Sequence, residues 1–388
     1  MRILEDEGYI RMKPRWPILL LGILAISFFL PEFWGGKGLL YSDNLSHVIP
    51  TMAFWKQEIL NGKIPLWNPY ILGGIPFLAD LSNNTLSPTN IAYLFLPIPL
   101  ALNLLVVVYV ALAAIFTYLY TKTLTGKTIP ALFSAIAFAF SGTVIAGAND
   151  INSLQGICLI PLVLFASERF VQKSEVRRGI ELILALTLQF ISSHPQYSYY
   201  TWIIVFFYLA YFLKQPFVKR SLAIGTIFVC TFLLSAFQLL PSLELSKEAF
   251  RPETAEFSSA NQLKLVELPR LVLANLYGSW KEGSSWGPSA QLETGLANTE
   301  GYMGVLPLVL AVWGAFTIRA RTAKFWMVVA LFTFVLSLGS QTPLFELARR
   351  MVPFFTKFRS PIRILSIYSF GIAMLSGMAL ANREKKTK

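Results

Sequence analysis

The chain is poor in charge, cysteine and histidine. Only 14% of its 388 residues are charged, and it has two cysteines and two histidines. A soluble globular protein carries roughly 25% charged residues, so this class is excluded for most of the chain. Cys158 and Cys230 both lie in apolar runs, where cysteine behaves as a small hydrophobic residue. Neither a structural disulfide nor a metal site with regular ligand spacing is expected.

Apolar residues fill most of the chain instead. Hydrophobic residues make up 55% of the sequence, and the mean hydropathy is +0.56. Runs of about twenty apolar residues recur, and a helix of that length crosses the roughly 30 Å hydrocarbon core of a bilayer. We therefore predict an all-α polytopic membrane protein, a single domain over residues 1–388, with about ten transmembrane helices. Their predicted positions are 16–33, 99–121, 129–147, 153–171, 180–193, 197–213, 221–241, 303–318, 325–338 and 362–381.

The basic residues indicate how these helices are oriented. The net charge is +12, and Lys and Arg concentrate at the N-terminus and in five short segments, 122–127, 173–178, 214–220, 319–324 and 383–388. Cytoplasmic connections of membrane proteins carry such an excess of positive charge. We therefore predict that both termini are cytoplasmic, and we exclude nucleic acid as the partner of these residues. The outer face then carries the long segments 34–98, 242–302 and 339–361 and the short turns 149–152 and 193–196.

The first outer loop is far longer than a connector requires. Two helices can be joined by about five residues, whereas residues 41–90 form a polar stretch rich in Trp, Pro and Gly. This stretch holds Asp43, His47, Asn68 and Asp80. We therefore predict a functional site in the loop.

An amphipathic helix is predicted inside this loop. Pro50 is tolerated only in a first helical turn, so the helix should begin at His47 or Val48, and the Asn-Gly pair at 61–62 should end it. A polar side at 56–58 faces apolar residues at helical spacing, which is typical of a helix lying in the membrane interface. The apolar positions are Val48, Ile49, Met52, Trp55, Ile59 and Leu60.

Asp43 directly follows the first span, and two interpretations of it are open. The ordinary one is a helix N-cap or a solvated loop carboxylate. The functional one is a general base, or a group that orients a hydroxyl, near the outer bilayer surface. His47 could assist Asp43, although a single interfacial histidine often only hydrogen-bonds a neighbour. Asp80 has apolar flanks and is a further candidate.

Polar residues also occupy the short outer turns. His194 and Gln196 directly follow an apolar run, and polar side chains at a membrane boundary usually face protein or a water-filled cavity. The alternative is a plain helix-breaking turn at Pro195. Asp150 lies in the other short turn, and Glu300 lies at the end of the second outer loop.

The last outer segment carries positive charge on the side where it is normally scarce. A lipid phosphate or diphosphate is one explanation, because arginine matches phosphate oxygens with a planar fork of donors. Pairing with carboxylates of the second outer loop is the other explanation, and the sequence leaves both open. The basic residues are Arg349, Arg350, Lys357, Arg359 and Arg363, and the carboxylates are Glu244, Glu248, Glu253, Glu256, Glu267, Glu282, Glu293 and Glu300.

Seven short motifs resemble those of the YfhO-like bacterial membrane proteins, a family related to the GT-C membrane glycosyltransferases. They occur in the family's order across nearly the whole chain. The motifs are PLWNPY at 65–70 with GGIPF at 73–77, AFAFSG at 137–142, HPQ at 194–196, QLLPSLE at 238–244, EGYMG at 300–304 and FRSPIR at 358–363.

The resemblance implies a GT-C-like helical bundle in the inner membrane of a bacterium or archaeon, with interfacial helices in the first outer loop. In such enzymes an acidic residue just after the first span is the catalytic base, here Asp43, and a polyprenyl-phosphate sugar docks from the membrane. Arg359, Arg363 and Lys357 are then expected to bind the donor phosphate. Residues expected to contact the acceptor or to support the site are His47, Asn68, Asp80, Asp150, His194, Gln196 and Glu300.

The expected partners are the lipid bilayer, the lipid-linked donor and a polymer, glycan or protein acceptor of the cell envelope. The carboxylates have no spacing that supports a divalent metal. Family members are usually longer, so three alternatives are open: a short natural version, a fragment, or one half of a split protein whose partner supplies a C-terminal region. Ser192-Ser193 stand where glycines are common in the family. Two alternatives are a transporter or flippase for a lipid-linked sugar and a non-catalytic membrane partner of a glycosylation system. The two halves of the chain show no inverted repeat, a signature of many transporters.

Overall fold

A computed structural model describes residues 15–34, 39, 43–249, 252, 254–274, 276–278 and 300–386. Helices dominate this part of the chain. The α-helices are α1 (Trp16–Trp34), α2 (Ile49–Leu60), α3 (Ile91–Phe95), α4 (Ile98–Thr125), α5 (Thr128–Ala139), α6 (Gly142–Gly147), α7 (Ile151–Gln172), α8 (Val176–Ile191), α9 (Pro195–Phe212), α10 (Phe217–Glu248), α11 (Ala255–Ser258), α12 (Val305–Thr317), α13 (Arg321–Ser337), α14 (Pro343–Met351) and α15 (Leu365–Lys386).

Every predicted span coincides with at least one of these helices, which confirms the helical class. Within the described residues, four helical segments are long and apolar enough to cross a membrane, namely Ile98–Thr125, Ile151–Gln172, Phe217–Glu248 and Pro361–Arg383. Shorter apolar helices lie at Trp16–Pro31, Thr128–Ala139 and Val305–Thr317. The total of about ten transmembrane helices stays a prediction.

Two predicted boundaries are wrong. The span predicted at 129–147 is two helices, because α5 ends before Phe140 and Ser141 caps α6 by accepting a hydrogen bond from the backbone N–H of Val144 (3.4 Å). The span predicted to end at 241 continues to the end of α10, so Pro241 lies inside that helix. The hydroxyl of Ser242 donates to the carbonyl of Gln238 (2.7 Å) and satisfies a backbone acceptor beside the proline.

α15 lies at the centre of the bundle and packs against α5, α12 and α13. Of its most apolar stretch 94% is buried, compared with 28% for α10, which is therefore peripheral. Small residues make the close packing of α15 possible. A Cβ atom at Gly377 would collide with the side chain of Ser134 and lie 2.8 Å from the carbonyl oxygen of Pro130.

The helix predicted inside the first loop is present. Its predicted C-terminal end is confirmed, whereas it begins at Ile49 and not at His47 or Val48. Its position in the membrane interface stays a prediction. A π-helical turn, Asn44–Val48, leads into α2, and Gly62 takes a left-handed φ of +71° just after it. The side chain of Trp55 faces the bundle, and its indole N–H donates to the carbonyl of Thr85 (2.9 Å). α2 therefore packs on the bundle through its apolar side.

A small β-hairpin follows α2. Strand β1 (Trp67–Asn68) pairs with β2 (Ile75–Pro76) in antiparallel register, with Trp67 opposite Pro76. Asn68, one of the predicted supporting residues, is buried, and its side-chain oxygen accepts from the backbone N–H of Tyr70 (3.0 Å). In the structure Asn68 therefore shapes the turn of the hairpin.

Candidate functional site

Asp43 stands at the start of the π-helical turn that precedes α2. Its backbone is already helical, with a φ of −65°, and its side chain makes no capping hydrogen bond. The structure therefore excludes a capping role for this side chain. Asp43 is partly buried and partly open to solvent, on the face of the bundle that the sequence predicts to be outer.

The neighbour of Asp43, Asn44, fixes this turn to the bundle. Asn44 is fully buried, and its amide nitrogen donates to the carbonyl of Ala148 (2.7 Å) while its amide oxygen accepts from the N–H of Ile151 (3.0 Å). The turn is thus held against the N-terminal end of α7. Asp150 lies at that end and caps α7 by accepting from the N–H of Asn152 (3.1 Å).

The electrostatic surroundings of Asp43 favour its protonated form. Partial burial raises the pKa of Asp43 above its ordinary value of 3.8, and the negative charge of Asp150 raises it further. His47 and Arg363 act in the opposite direction without cancelling the shift. A carboxylate with a raised pKa is a stronger base than an ordinary aspartate, which suits proton abstraction.

The carbonyl of Ser82 joins the first loop to α7 and to His47. It accepts from the amide of Asn152 (2.7 Å), and Nε2 of His47 lies 3.4 Å away from it. Asp80 supports this arrangement, because its carboxylate accepts from the backbone N–H of Ser82 (2.9 Å) and caps the 3₁₀ turn Leu81–Asn83. His47 and Asp80 therefore lie in the same region as Asp43, with Asp80 used for local structure.

Arg363 approaches the same region from the other end of the chain. It lies in the 3₁₀ turn Pro361–Ile364, just before α15, and its Nη1 donates to Nε2 of His194 (2.7 Å) and more weakly to the side-chain oxygen of Gln196 (3.4 Å). An arginine has only donors, so the imidazole must accept, and His194 is neutral in this contact. His194 also occupies the N-cap position of α9.

The hydrogen-bond partners and the aromatic ring partner of Arg363 are neutral side chains. Its guanidinium lies 5.8 Å from the ring centroid of Tyr197, a cation–π distance. Among the residues that the structure describes, Arg363 forms no ion pair, and its buried Nε has no hydrogen-bond partner. Buried polar atoms of this kind call for a water or a ligand.

Glu300 adds a buried carboxylate to this region. Burial raises the pKa of Glu300, and the nearby Arg270 and Arg363 partly offset the shift. Within the described part of the chain, its Oε2 has no hydrogen-bond partner. The backbone N–H of Gly301 donates to the hydroxyl of Thr143 (3.0 Å), so Glu300 is fixed to the start of α6.

The other basic residues of the last outer segment divide into two groups. Arg349 and Arg350 bind Glu346 of their own helix, at 2.8 Å and 2.7 Å, and the charge of Glu256 in the second outer loop also acts on Arg349. Arg359 is exposed, and Lys357 ends the 3₁₀ turn Phe355–Lys357. Of this segment's cations, Arg363 is the one whose charge shifts the pKa of Asp43.

Several asparagine and glutamine residues of this region are not among the site residues predicted from the sequence. The amide nitrogen of Asn84 donates to the side-chain oxygens of Asn152 (2.7 Å) and Gln155 (2.8 Å), and so joins the first loop to α7. The sequence signal that could have identified these residues is an amide side chain within the polar loop or at the start of an apolar helix. That signal does not say which amides pair, because pairing depends on tertiary contacts.

The fold and this site define a helical membrane protein with a charged, polar face built from helix ends and the first long loop. The family model described as bacterial membrane protein YfhO matches residues 17–388. The chain therefore belongs to the YfhO family of bacterial membrane proteins. No curated protein matches it. Within the described residues, no three of His, Cys, Asp and Glu are grouped so as to hold a metal ion.

Proposed function

We propose that the protein is a membrane glycosyltransferase with a GT-C-like fold. It transfers a sugar from a polyprenyl-phosphate donor to an acceptor of the cell envelope on the extracytoplasmic side of the inner membrane. The observation that supports this proposal is that Arg363, from the other end of the chain, lies near enough to Asp43 for its charge to act on the carboxyl group, whose pKa is raised. Among the described residues Arg363 forms no ion pair.

Asp43 and Arg363 act on the two groups whose charge changes during sugar transfer, the acceptor hydroxyl and the phosphate of the donor. Asp43 takes the proton of the acceptor hydroxyl, whose oxygen then attacks the anomeric carbon. The bond from that carbon to the phosphate oxygen breaks, and the polyprenyl phosphate leaves with one more negative charge. Arg363 stabilises this charge. Because its guanidinium is already oriented before the reaction, little free energy of reorganisation is needed.

The neighbouring residues take supporting roles in this mechanism. His194 and Gln196 hold the guanidinium of Arg363, because both accept from its Nη1. Asp150 raises the pKa of Asp43, and His47 lies close enough to act on its charge. Arg359 and Lys357, nearer the surface, attract the phosphate of the approaching lipid. Asp80, Asn68 and Glu300 keep the loops in place around the acceptor.

The test uses purified protein in nanodiscs with a radiolabelled polyprenyl-phosphate sugar and a membrane extract as the acceptor source. Loss of a general base costs about 100-fold or more, so Asp43→Asn should reduce transfer by at least that factor. Glu58→Gln is the matched control, because Glu58 is a carboxylate of the same loop that lies on α2. It should keep the wild-type rate.

The outcomes separate the proposal from its alternatives. Unchanged transfer by Asp43→Asn contradicts the catalytic assignment. If neither protein transfers sugar but the wild type moves the lipid-linked sugar between leaflets, the protein is a transporter. If neither transfer nor movement occurs with the wild type alone and transfer appears only with a second membrane protein, the chain is a non-catalytic partner.

A further inference from the structure

The hairpin after α2 exposes a cluster of large apolar side chains, which we call the hairpin tip. Leu72 is 92% exposed and Tyr70 76%. Between Glu58 and Asp80 the sequence contains a single charged residue, Lys63. A contiguous apolar surface of this kind indicates an interaction surface. The hairpin tip consists of Ile64, Leu66, Trp67, Tyr70, Ile71 and Leu72.

The backbone conformation of the hairpin keeps these apolar side chains exposed. Leu72 has a left-handed φ of +52°, a conformation that a leucine adopts at a cost. The backbone N–H of Gly74 donates to the carbonyl of Ile71 (2.8 Å), and that of Phe77 donates to the carbonyl of Leu66 (2.8 Å). The hairpin is thus closed by its own hydrogen bonds while its apolar side chains point away from the bundle.

The helix that precedes the hairpin, α2, packs against the start of α4. The side-chain nitrogen of Lys56, on α2, donates to the carbonyl of Leu96 (3.2 Å), between α3 and α4. Phe95 beside this contact is 80% exposed. Along α4, which is long and apolar enough to cross a membrane, exposed apolar residues recur every fourth position, as on a lipid-facing side. These residues are Leu100, Leu104 and Val108.

We propose that the hairpin tip inserts into the bilayer leaflet that surrounds this end of α4. Trp67 and Tyr70 lie at the level of the lipid headgroups, where aromatic side chains with a polar edge are favoured. Leu72 lies among the upper acyl chains, and Lys63 faces the lipid phosphates. Lipid is the occupant because the helix before the hairpin packs at the start of a helix that is long and apolar enough to cross a membrane, and because the hairpin tip lacks acidic residues.

Insertion would fix the depth of the first loop without involving the chemistry of the site. The chain leaves the hairpin at Phe77 and reaches Asp80 and Ser82, and the carbonyl of Ser82 contacts His47. A hairpin held in the leaflet therefore holds the segment that packs beside Asp43.

The experiment places a fluorophore on the hairpin tip and measures quenching by nitroxide lipids. Leu72→Cys is labelled with bimane in a background in which Cys158 and Cys230 are replaced by alanine, and the protein is reconstituted in nanodiscs of phosphatidylethanolamine and phosphatidylglycerol. Leu104→Cys, on the lipid-facing side of α4, is the reference for full quenching. Glu175→Cys, exposed in the connection between α7 and α8, is the reference for solvent. The label at Leu72 should be quenched at least half as strongly as that at Leu104.

A second variant removes the apolar side chain without disturbing the turn. Asparagine accepts a left-handed φ readily, so Leu72→Asn should keep the hairpin folded. A bimane label at Tyr70→Cys should then lose at least half of its quenching when Leu72→Asn is added. Quenching at Leu72 no stronger than at Glu175 overturns the proposal, and so does a bimane signal that depends on a second copy of the protein instead of on lipid.

Discussion

At the scale of single residues, the chemistry of the region around Asp43 depends on which groups lie near each charged side chain. Asp43 has a carboxylate neighbour, Asp150, that disfavours its ionised form, and a cation, Arg363, that favours it. Arg363 in turn is held by two neutral side chains, His194 and Gln196. Within the described residues its buried Nε has no hydrogen-bond partner, so this donor is available to an anionic ligand.

The raised pKa of Asp43 predicts a pH dependence of stability. The folded state holds this proton more tightly than the unfolded chain does, so stability falls as the pH rises from the ordinary value of 3.8 through the raised value. Asp43→Asn removes the titrating group. Its thermal midpoint should therefore fall less over this range and should equal or exceed the wild-type value at neutral pH. Thermal unfolding in detergent at a series of pH values measures this, and parallel curves for the two proteins would contradict it.

The hydrogen bonds of Arg363 predict a graded effect of substitution on sugar transfer. Arg363→Lys keeps the charge but loses the planar donors, so kcat should fall roughly 10-fold, and Arg363→Gln should cost about 100-fold or more. Steady-state kinetics with the lipid-linked donor measures both. Arg350→Lys is the control, because Arg350 pairs with Glu346 in α14 and should keep the wild-type kcat. Equal rates for the two Arg363 variants would exclude a role of the charge.

At the scale of helices, a buried chain of polar side chains joins four elements at the predicted cytoplasmic half of the bundle. The hydroxyl of Tyr208 in α9 donates to Glu168 in α7, and it accepts from Tyr120 in α4 (3.1 Å). The indole N–H of Trp326 in α13 donates to Tyr120 (3.2 Å). Each buried polar group therefore has a partner on another helix, which fixes how the helices are rotated relative to one another.

Removing one hydroxyl from this chain should destabilise the bundle. Tyr208→Phe leaves one carboxylate oxygen of Glu168 without its donor in apolar surroundings, which costs about 1–3 kcal/mol. Thermal unfolding in detergent should show a lower midpoint for this variant. Tyr211→Phe is the control, because Tyr211 is partly exposed on the same helix and contacts its neighbours through its ring. An equal effect of the two substitutions would show that the chain adds no stability.

At the scale of the whole molecule, α15 organises the bundle because small residues let its neighbours come close. Gly377→Ala places a methyl group 2.8 Å from the Pro130 carbonyl oxygen and against Ser134, so it should destabilise the protein by about 1–3 kcal/mol. Gly225→Ala on α10 meets no atom within 4 Å and should be neutral or slightly stabilising. Comparison of the two thermal midpoints tests the central position of α15, and a loss of stability only in Gly225→Ala would contradict it.

The orientation of the whole molecule is a further prediction. Asn61, just after α2, should face the outside, and Ser174, between α7 and α8, should face the cytoplasm. A membrane-impermeant maleimide should therefore label Asn61→Cys in intact cells and Ser174→Cys only after permeabilisation. The reverse pattern would place Asp43 in the cytoplasm and would contradict the proposed function.

Much of the fold could be predicted from the sequence, because a chain in lipid must satisfy its backbone hydrogen bonds locally. The ten predicted spans therefore coincide with helices, and α2 begins and ends where Pro50 and Gly62 indicate. The break between α5 and α6 was not predictable in this way. Its residues, Phe140 to Gly142, are apolar or small, so hydropathy does not change there, and the break depends on the cap formed by Ser141.

The sequence by itself determined the class of protein, the positions of its helices and a set of candidate polar residues at their ends. Only the tertiary structure decided which of these residues share one region. Asp43 and Asp150 come together because Asn44 binds the turn before α7, and Arg363 joins them because it precedes the central helix α15. Periodicity and composition are local properties, whereas proximity between distant segments depends on how the helices pack.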